Sequence, residues 1–238
     1  MPYGLYVSAE GAQAQSTRME VIANNLANVD TAGFKRELAI LQARYAEAIE
    51  EGLVLPDTGT INDVGGGVMV RETKTDFAPG PLKNSGNPTD VAIDGEGFFV
   101  IQKDEETFLT RAGNFALTER GELVTQQGYP VLSTTGAPMI VNPNDPNWSR
   151  NLGVVMPESY GDLVHVGENL FRPLADPQPV PPEQRNVVTG YVEGSSVKPT
   201  TEMNELIIAS RALEANVNMM RTQDEMLGSL VRRLLKVS

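Results

Sequence analysis

Asp94 and Glu96 are the two side chains whose type and spacing come nearest to a hydrolytic site. Paired carboxylates cleave glycosidic bonds when one donates a proton and the other activates water or attacks the sugar. The same residues, in the run Asp94-Gly95-Glu96-Gly97, also suit an ordinary turn between two strands. A carbohydrate-active enzyme built on this part of the chain therefore stays open as an alternative.

Metal, cofactor and nucleic-acid sites find little support in the sequence. His165 is the only histidine and the chain has no cysteine, so these ligand types cannot form a metal cluster. The run Gly65-Gly66-Gly67 lacks the lysine and hydroxyl residue of a phosphate-binding loop. A formal net charge of -12 argues against a broad basic surface for nucleic acid. We therefore predict no catalytic, cofactor-binding or metal-binding residues, no small-molecule substrate, and a protein that is not an enzyme.

Both ends of the chain carry apolar and small residues at alternating three- and four-residue steps. The N-terminal run covers residues 5–26 and the C-terminal run covers residues 203–234. Such steps keep one face of a helix turned toward a partner helix, as in the seam of a coiled coil. We predict that the two runs pair as a stalk and that their shared face is an assembly interface. The predicted interface residues are Leu5, Ala12, Met19, Ala23, Leu26, Leu206, Leu213, Val217, Met220 and Leu227.

The C-terminal run also has a second apolar stripe on the side away from this seam. A helix with two apolar faces needs more than one neighbour. Pairing within one chain leaves a thin margin, because about eight seam residues at ~1.5–3 kcal/mol each oppose the backbone entropy of ~35 ordered residues. We infer that the stalk becomes ordered mainly when subunits assemble. The stripe consists of Ile208, Ala212, Ala215, Met219 and Met226, and Thr222 interrupts it.

Between the helical ends, from about Val68 to Tyr191, short apolar runs alternate with turn residues. Closely spaced strands without intervening helices indicate an antiparallel sheet. The predicted fold class is α+β: a discontinuous α-helical coiled-coil stalk formed by both termini, with an inserted, mainly antiparallel β domain. The predicted boundaries are 1–33 for the N-terminal stalk helix, 34–75 for a connector, 76–192 for the β domain and 193–238 for the C-terminal stalk helix.

Two local expectations concern the edges of these parts. Residues 34–51 have a helix-friendly composition, and residues 52–67 read as an irregular connector rich in glycine. The C-terminal helix is expected to begin after Pro199, with Thr200 or Thr201 as its N-cap.

No targeting segment is evident. The start, Met1-Pro2-Tyr3-Gly4, lacks the positive charge and apolar run of a signal peptide, and no segment approaches the ~20 apolar residues of a membrane span. We expect no cleaved leader. A periplasmic adaptor that bridges membranes through a helical hairpin stays as a second alternative, although such proteins generally place the hairpin inside the sequence.

Four segments of the chain carry recognisable motifs. Residues 23–35 read ANNLANVDTAGFK, residues 90–99 read DVAIDGEGFF, residues 110–115 read TRAGNF and residues 193–197 read EGSSV. These segments resemble bacterial flagellar basal-body rod and hook proteins, and they occur in the order found in that family. The run from 196 to 199 is most similar to the proximal rod component, with the distal rod component as the close alternative.

The resemblance implies a structural subunit of the flagellar rod, stacked helically so that its terminal helices line a hollow drive shaft. It implies partners among copies of the chain, other rod and hook subunits, and the flagellar export apparatus. It also implies a place in the periplasm-spanning basal body, reached without a cleaved signal peptide.

Overall fold

The computed structural model describes residues 3–44, 65–104, 106–142, 148–181 and 183–235. The chain divides into two compact units, each made from segments that are distant in sequence. The first unit comprises residues 1–26, 37–74 and 198–238, and the second comprises residues 27–36 and 75–197.

A long helix lies at each end of the chain. Helix α1 spans Tyr3–Ala27 and helix α2 spans Pro199–Leu235. The prediction of one helix at each end is confirmed. Neither helix is apolar enough over a sufficient length to cross a membrane, within the part of the chain that the structure describes.

Helix α2 begins earlier than the sequence suggested. The expected N-cap at Thr200 or Thr201 is wrong, because Pro199 is already helical. Proline has a fixed φ and no backbone N–H, which suits the first position of a helix. The backbone N–H groups of Thr201 and Glu202 donate to the carbonyl of Lys198, at 3.0 and 3.1 Å, and so close the first turn.

Strands β1 (Arg36–Arg44) and β2 (Gly67–Asp76) form a two-stranded sheet. The helical expectation for residues 34–51 is therefore wrong where β1 lies. The side-chain amide of Asn25 supplies a physical reason. It accepts from the backbone N–H of Glu37 at 2.9 Å and donates to the carbonyl of the same residue at 2.8 Å. This pair of bonds holds the start of β1 as a neighbouring strand would, and tertiary contact of this kind overrides local propensity.

The predicted connector, residues 34–75, thus contains regular structure at both of its ends. Residues 45–51, which complete the helical expectation, and residues 52–64 of the stretch expected to be irregular lie outside the described residues.

The second unit is built from short strands, and every pairing resolved in it is antiparallel. The α+β class is therefore confirmed, whereas the coiled-coil stalk stays a prediction. The strands are β3 (Leu82–Asn84), β4 (Val91–Ile93), β5 (Phe98–Lys103), β6 (Glu106–Thr110), β7 (Ala116–Leu117), β8 (Leu123–Val124), β9 (Val154–Met156), β10 (Leu163–Gly167), β11 (Leu170–Pro173), β12 (Gln178–Pro179), β13 (Val187–Thr189) and β14 (Tyr191–Glu193).

Six of these strands form the main sheet, in the order β10-β11-β6-β5-β9-β12. Successive residues of its central strand β5 supply both faces, since side chains alternate along a strand. Phe99 and Ile101 join a large core that also holds Trp148, whereas Phe98 packs with Leu109 in a smaller one. The last strands return to the beginning of the unit, because β13 pairs with β4 and β14 pairs with β3.

Candidate assembly interface

The two helices of the first unit run antiparallel, because their contacts pair ascending positions on α1 with descending positions on α2. Gly4 lies against Gln223 and Gly11 lies against Asn216. Farther along α1, Arg18 makes an ion pair with Glu205. These positions lie seven residues apart on α1, which is the spacing at which one helix face returns to its neighbour.

The far end of the pair is closed by a buried polar contact. The side-chain amide of Asn25 donates to Oε2 of Glu202 at 3.3 Å, and it is the same amide that holds β1. Glu202 and Ala209 are both 0% exposed, which makes them the most deeply buried described residues of α2. Neither belonged to the predicted seam. Because they lie seven residues apart and continue to Asn216 and Gln223, a heptad of polar and small residues was the signal that an apolar pattern overlooks.

The structure places the predicted interface residues at different depths. On α1, Ala12 is buried, Leu5, Met19 and Leu26 are half-buried, and Ala23 is exposed. All five predicted residues of α2 are half-buried within the single chain: Leu206, Leu213, Val217, Met220 and Leu227.

The second apolar stripe of α2 faces solvent in the single chain. Ile208 is 47% exposed, Met219 is 54% exposed and Met226 is 61% exposed. Ala215 is exposed as well, and Ala212 is half-buried. We refer to Ile208, Met219 and Met226 as the apolar stripe. Exposed apolar residues along one helix face are typical of a surface that binds another protein.

The second unit contains a buried ionic cluster formed by Lys35, Arg111 and Glu193. The Lys35 Nζ lies 2.6 Å from Oε1 of Glu193, and the Arg111 Nη1 lies 3.3 Å from Oε2. The three side chains are only 1%, 5% and 2% exposed, respectively. A third donor reaches the carboxylate, since the backbone N–H of Gly80 lies 2.9 Å from Oε1.

Backbone carbonyls also accept hydrogen bonds from the two cations. Lys35 donates to the carbonyl of Ala78 at 3.0 Å, and Arg111 donates to those of Ile93 and Gly95 at 3.3 and 2.6 Å. Two buried cations facing one carboxylate need such acceptors, because an unpaired buried charge is costly.

Burial is the largest influence on the pKa values of Lys35 and Arg111. Desolvation lowers the pKa of Lys35 below its usual value, although the Glu193 carboxylate opposes the shift. Desolvation likewise lowers the pKa of Arg111. Burial of a cation favours its neutral form.

The segments that carry the cluster approach one another so closely that only glycine fits between them. A Cβ on Gly33, whose φ is +68°, would lie 2.3 Å from the backbone N of Ala112. A Cβ on Gly113 would lie 1.6 Å from the carbonyl oxygen of Val91. Both glycines belong to the runs quoted in the sequence analysis, so these runs are packing motifs around the charged cluster.

The residues considered for catalysis lie elsewhere. Asp94 and Glu96 are both exposed, on the turn between β4 and β5, where Gly95 and Gly97 have positive φ. Asp94 accepts a hydrogen bond from Nδ2 of Asn186 at 2.9 Å. Exposed carboxylates on a turn lack the enclosed cleft in which a glycosidase holds its substrate between two carboxyl groups.

His165 lies in β10, with its ring 5.3 Å from that of Phe171. Among the described residues, no group of three or more histidine, aspartate or glutamate side chains is arranged to hold a metal ion.

Three family models match the chain. Residues 5–35 match the flagella basal body rod protein model, residues 92–167 match the flagellar hook protein FlgE/F/G D1 domain, and residues 188–233 match the flagellar basal body rod FlgEFG protein C-terminal model. Lys35, Arg111 and Glu193 each come from a different one of these segments, and the ionic cluster joins them.

Curated relatives match the chain over nearly its whole length. The chain is 30% identical to the flagellar basal-body rod protein FlgF of Caulobacter vibrioides, with 100% of each chain covered. It is 30% identical to FlgG of Bacillus subtilis, covering 95% of this chain and 97% of that one. It is 33% identical to FlgG of Agrobacterium fabrum, covering 98% and 99%. The resemblance found in the sequence is confirmed, and relatives of both names appear at similar identity.

Proposed function

The chain belongs to the family of flagellar basal-body rod proteins, and we propose that it polymerises helically through its terminal helices to form part of the hollow drive shaft. It is a structural subunit of the basal-body rod. The proposal goes further, because it assigns the contact between subunits to α1 and α2. The observation that carries it is the apolar stripe, which the single chain leaves exposed.

The energy available at this stripe supports a contact between subunits. Complete burial of a large apolar side chain contributes about 1.5–3 kcal/mol. Three side chains that are about half exposed would therefore contribute roughly 2–5 kcal/mol when a neighbour covers them. Such a contact is weak for two isolated chains, but it repeats along a polymer.

The two surfaces of a subunit also differ, which determines the kind of polymer. The exposed part of α2 presents large apolar side chains, whereas beyond Tyr3 and Tyr6 the exposed part of α1 carries small and polar residues such as Ala9, Gln13, Ala23 and Ala27. Contact between unlike surfaces is heterologous, and a heterologous contact that does not close on itself produces an open helix of subunits. A rod has this symmetry.

The ionic cluster supports a mechanical role for the second unit. It joins the segment after α1, the central sheet and the segment before α2 through charge-assisted hydrogen bonds. Networks of this kind resist rearrangement, because separating one member leaves the others buried and unpaired. We propose that the cluster transmits torque between the β domain and the two segments that follow α1 and precede α2.

We propose no catalytic role, and we assign no cofactor or metal to the chain. The relatives are named as rod proteins, and the carboxylates considered for hydrolysis are exposed on a turn. The same names disfavour the periplasmic adaptor. As partners we propose copies of the chain, other rod and hook subunits, and the flagellar export apparatus, through which the chain would pass without a cleaved signal peptide.

The contact between subunits can be tested in cells that depend on this chain for swimming. The variant Met219→Asp/Met226→Asp places charges within the stripe and is expected to abolish swimming and to reduce the number of complete rods in isolated basal bodies. The matched control is Asn218→Asp, at an exposed polar position on the same helix, which is expected to swim normally. Normal rods in the stripe variant would refute the proposed contact.

A further inference from the structure

The face of α2 turned toward α1 is one of two faces that carry apolar residues. Glu202, Asn216 and Gln223 lie along the intramolecular contact, on the side where Leu213 and Met220 are half-buried, whereas Ile208 and Met219 are about half exposed. Burial of apolar surface alone does not decide between the two faces. Some other feature must therefore select the face of α2 that packs against α1.

Two glycines of α1 supply such a feature. A Cβ on Gly4 would lie 2.7 Å from Nε2 of Gln223 and 3.2 Å from its Cδ. A Cβ on Gly11 would lie 3.1 Å from Nδ2 of Asn216 and 3.2 Å from its Oδ1. Each glycine thus forms a notch that receives one amide side chain of α2. We refer to Gly4 and Gly11 as the notch glycines.

The notches weaken α1 as an isolated helix. Glycine in a helix interior is less favourable than alanine. The seam is costly in a second way, because Oε1 of Gln223 is buried without a hydrogen-bond partner in the described part of the chain. Polar residues within a helix seam reduce stability but specify the orientation of the helices. The arrangement therefore fits a role in specificity.

We infer that the notch glycines, together with Asn216 and Gln223, determine the rotation of α2 about its axis and so keep the apolar stripe facing outward. This inference deepens the proposed function, since it explains how a subunit keeps its second apolar stripe out of its own helix pair. Isoleucine, which is branched at Cβ, does not fit a notch that receives an unbranched amide side chain. The apolar stripe is then available for contact with a neighbouring subunit.

The rotation of α2 can be measured by thiol crosslinking, because the chain contains no native cysteine. Crosslinking of the pair Arg18→Cys/Glu205→Cys shows that α2 presents to α1 the face seen in the structure, since these two residues contact each other. We call this pair the observed-face pair. The competing pair Arg18→Cys/Ile208→Cys reports the stripe face. The reaction uses full-length chain, dilute enough for intramolecular products, and a short bismaleimide. Irreversible crosslinking accumulates even if the helices meet only part of the time.

In the parent background, the observed-face pair is expected to crosslink at least fivefold faster than the stripe-face pair. The substitutions Gly4→Leu/Gly11→Leu fill both notches and are expected to bring this ratio to about one or below. The control Gly228→Leu is expected to leave the ratio unchanged, because nothing lies within 4 Å of a Cβ at that position.

A rescue variant separates the notch from general effects on the helix. Adding Asn216→Ala/Gln223→Ala to the filled-notch chain clears the opposing space and is expected to restore the ratio. A ratio that filling the notches does not change, or an absent preference in the parent chain, would overturn the inference.

Swimming is scored separately in cysteine-free strains, so the two proposals fail independently. A crosslinking preference without rods would contradict the proposed function alone, whereas rods without the preference would contradict the inference alone.

Discussion

Neutralising Glu193 should destabilise the second unit more than any exposed charge change. The variant Glu193→Gln keeps the size of the side chain but removes the carboxylate that contacts both Lys35 and Arg111. Both cations then stay buried with backbone carbonyls as their acceptors. Breaking a buried ion pair by removing one partner costs about 3–5 kcal/mol.

Urea unfolding measures this cost directly. Trp148, the only tryptophan, is buried in the larger core of the second unit, so its fluorescence follows the unfolding of that unit. With an m-value of about 2 kcal/mol/M, the expected loss moves the midpoint about 2 M lower. The measurement is made on full-length chain at pH 7.

The matched control is Glu168→Gln in the same unit. Its carboxylate lies 3.1 Å from Nζ of Lys103, and the side chain is half exposed. Exposed ion pairs contribute about 0–1 kcal/mol, so the midpoint should move by less than about 0.5 M. A Glu193→Gln midpoint as close to that of the parent as the control would refute the role given to the cluster.

Three further predictions concern the helix seam, protonation and the carboxylate pair. Leu213→Asp and Val217→Asp should each abolish swimming, because a charge in a packed seam is costly, and normal swimming by both would contradict the seam assignment. Burial lowers the folded-state pKa of Lys35 below its ordinary value of 10.5, so just below pH 10.5 the unfolded chain binds more protons. The unfolding free energy of the parent, measured relative to Lys35→Met, should therefore rise with pH in that window, and a fall would contradict the shift. Asp94→Asn/Glu96→Gln should leave swimming and rod number unchanged, whereas lost swimming in a correctly folded variant would restore a functional role for the pair.

The sequence predicts the helices well because their signal is local. A three- and four-residue rhythm over residues 5–26 and 203–234 is sufficient to locate α1 and α2. Strand β1 was not predicted because it depends on the side-chain amide of Asn25. This amide makes hydrogen bonds to the backbone of Glu37 across the intervening turn. Composition alone made that stretch resemble a helix.

The ionic cluster could not be derived from spacing. Lys35 and Glu193 are 158 positions apart, and Arg111 lies between them, so only the fold brings the charges together. The motifs that contain these residues could be recognised in the sequence, but the sequence did not show that they pack around an ionic cluster.

The rotation of α2 escaped prediction for a different reason. Apolar periodicity counts side chains that favour burial, whereas the notch glycines act through the absence of a side chain. Glu202 and Ala209 are fully buried, yet neither stands out in an apolar pattern. The seam is read correctly only when polar heptad positions are compared across both helices.

The central claim is that the terminal helices become fully ordered only when subunits contact one another. Amide hydrogen exchange of residues 5–26, compared between dilute monomer and assembled rods, tests it most directly. The account predicts rapid exchange in the monomer and strong protection in the rod. Strong protection of these residues in dilute monomer would contradict it.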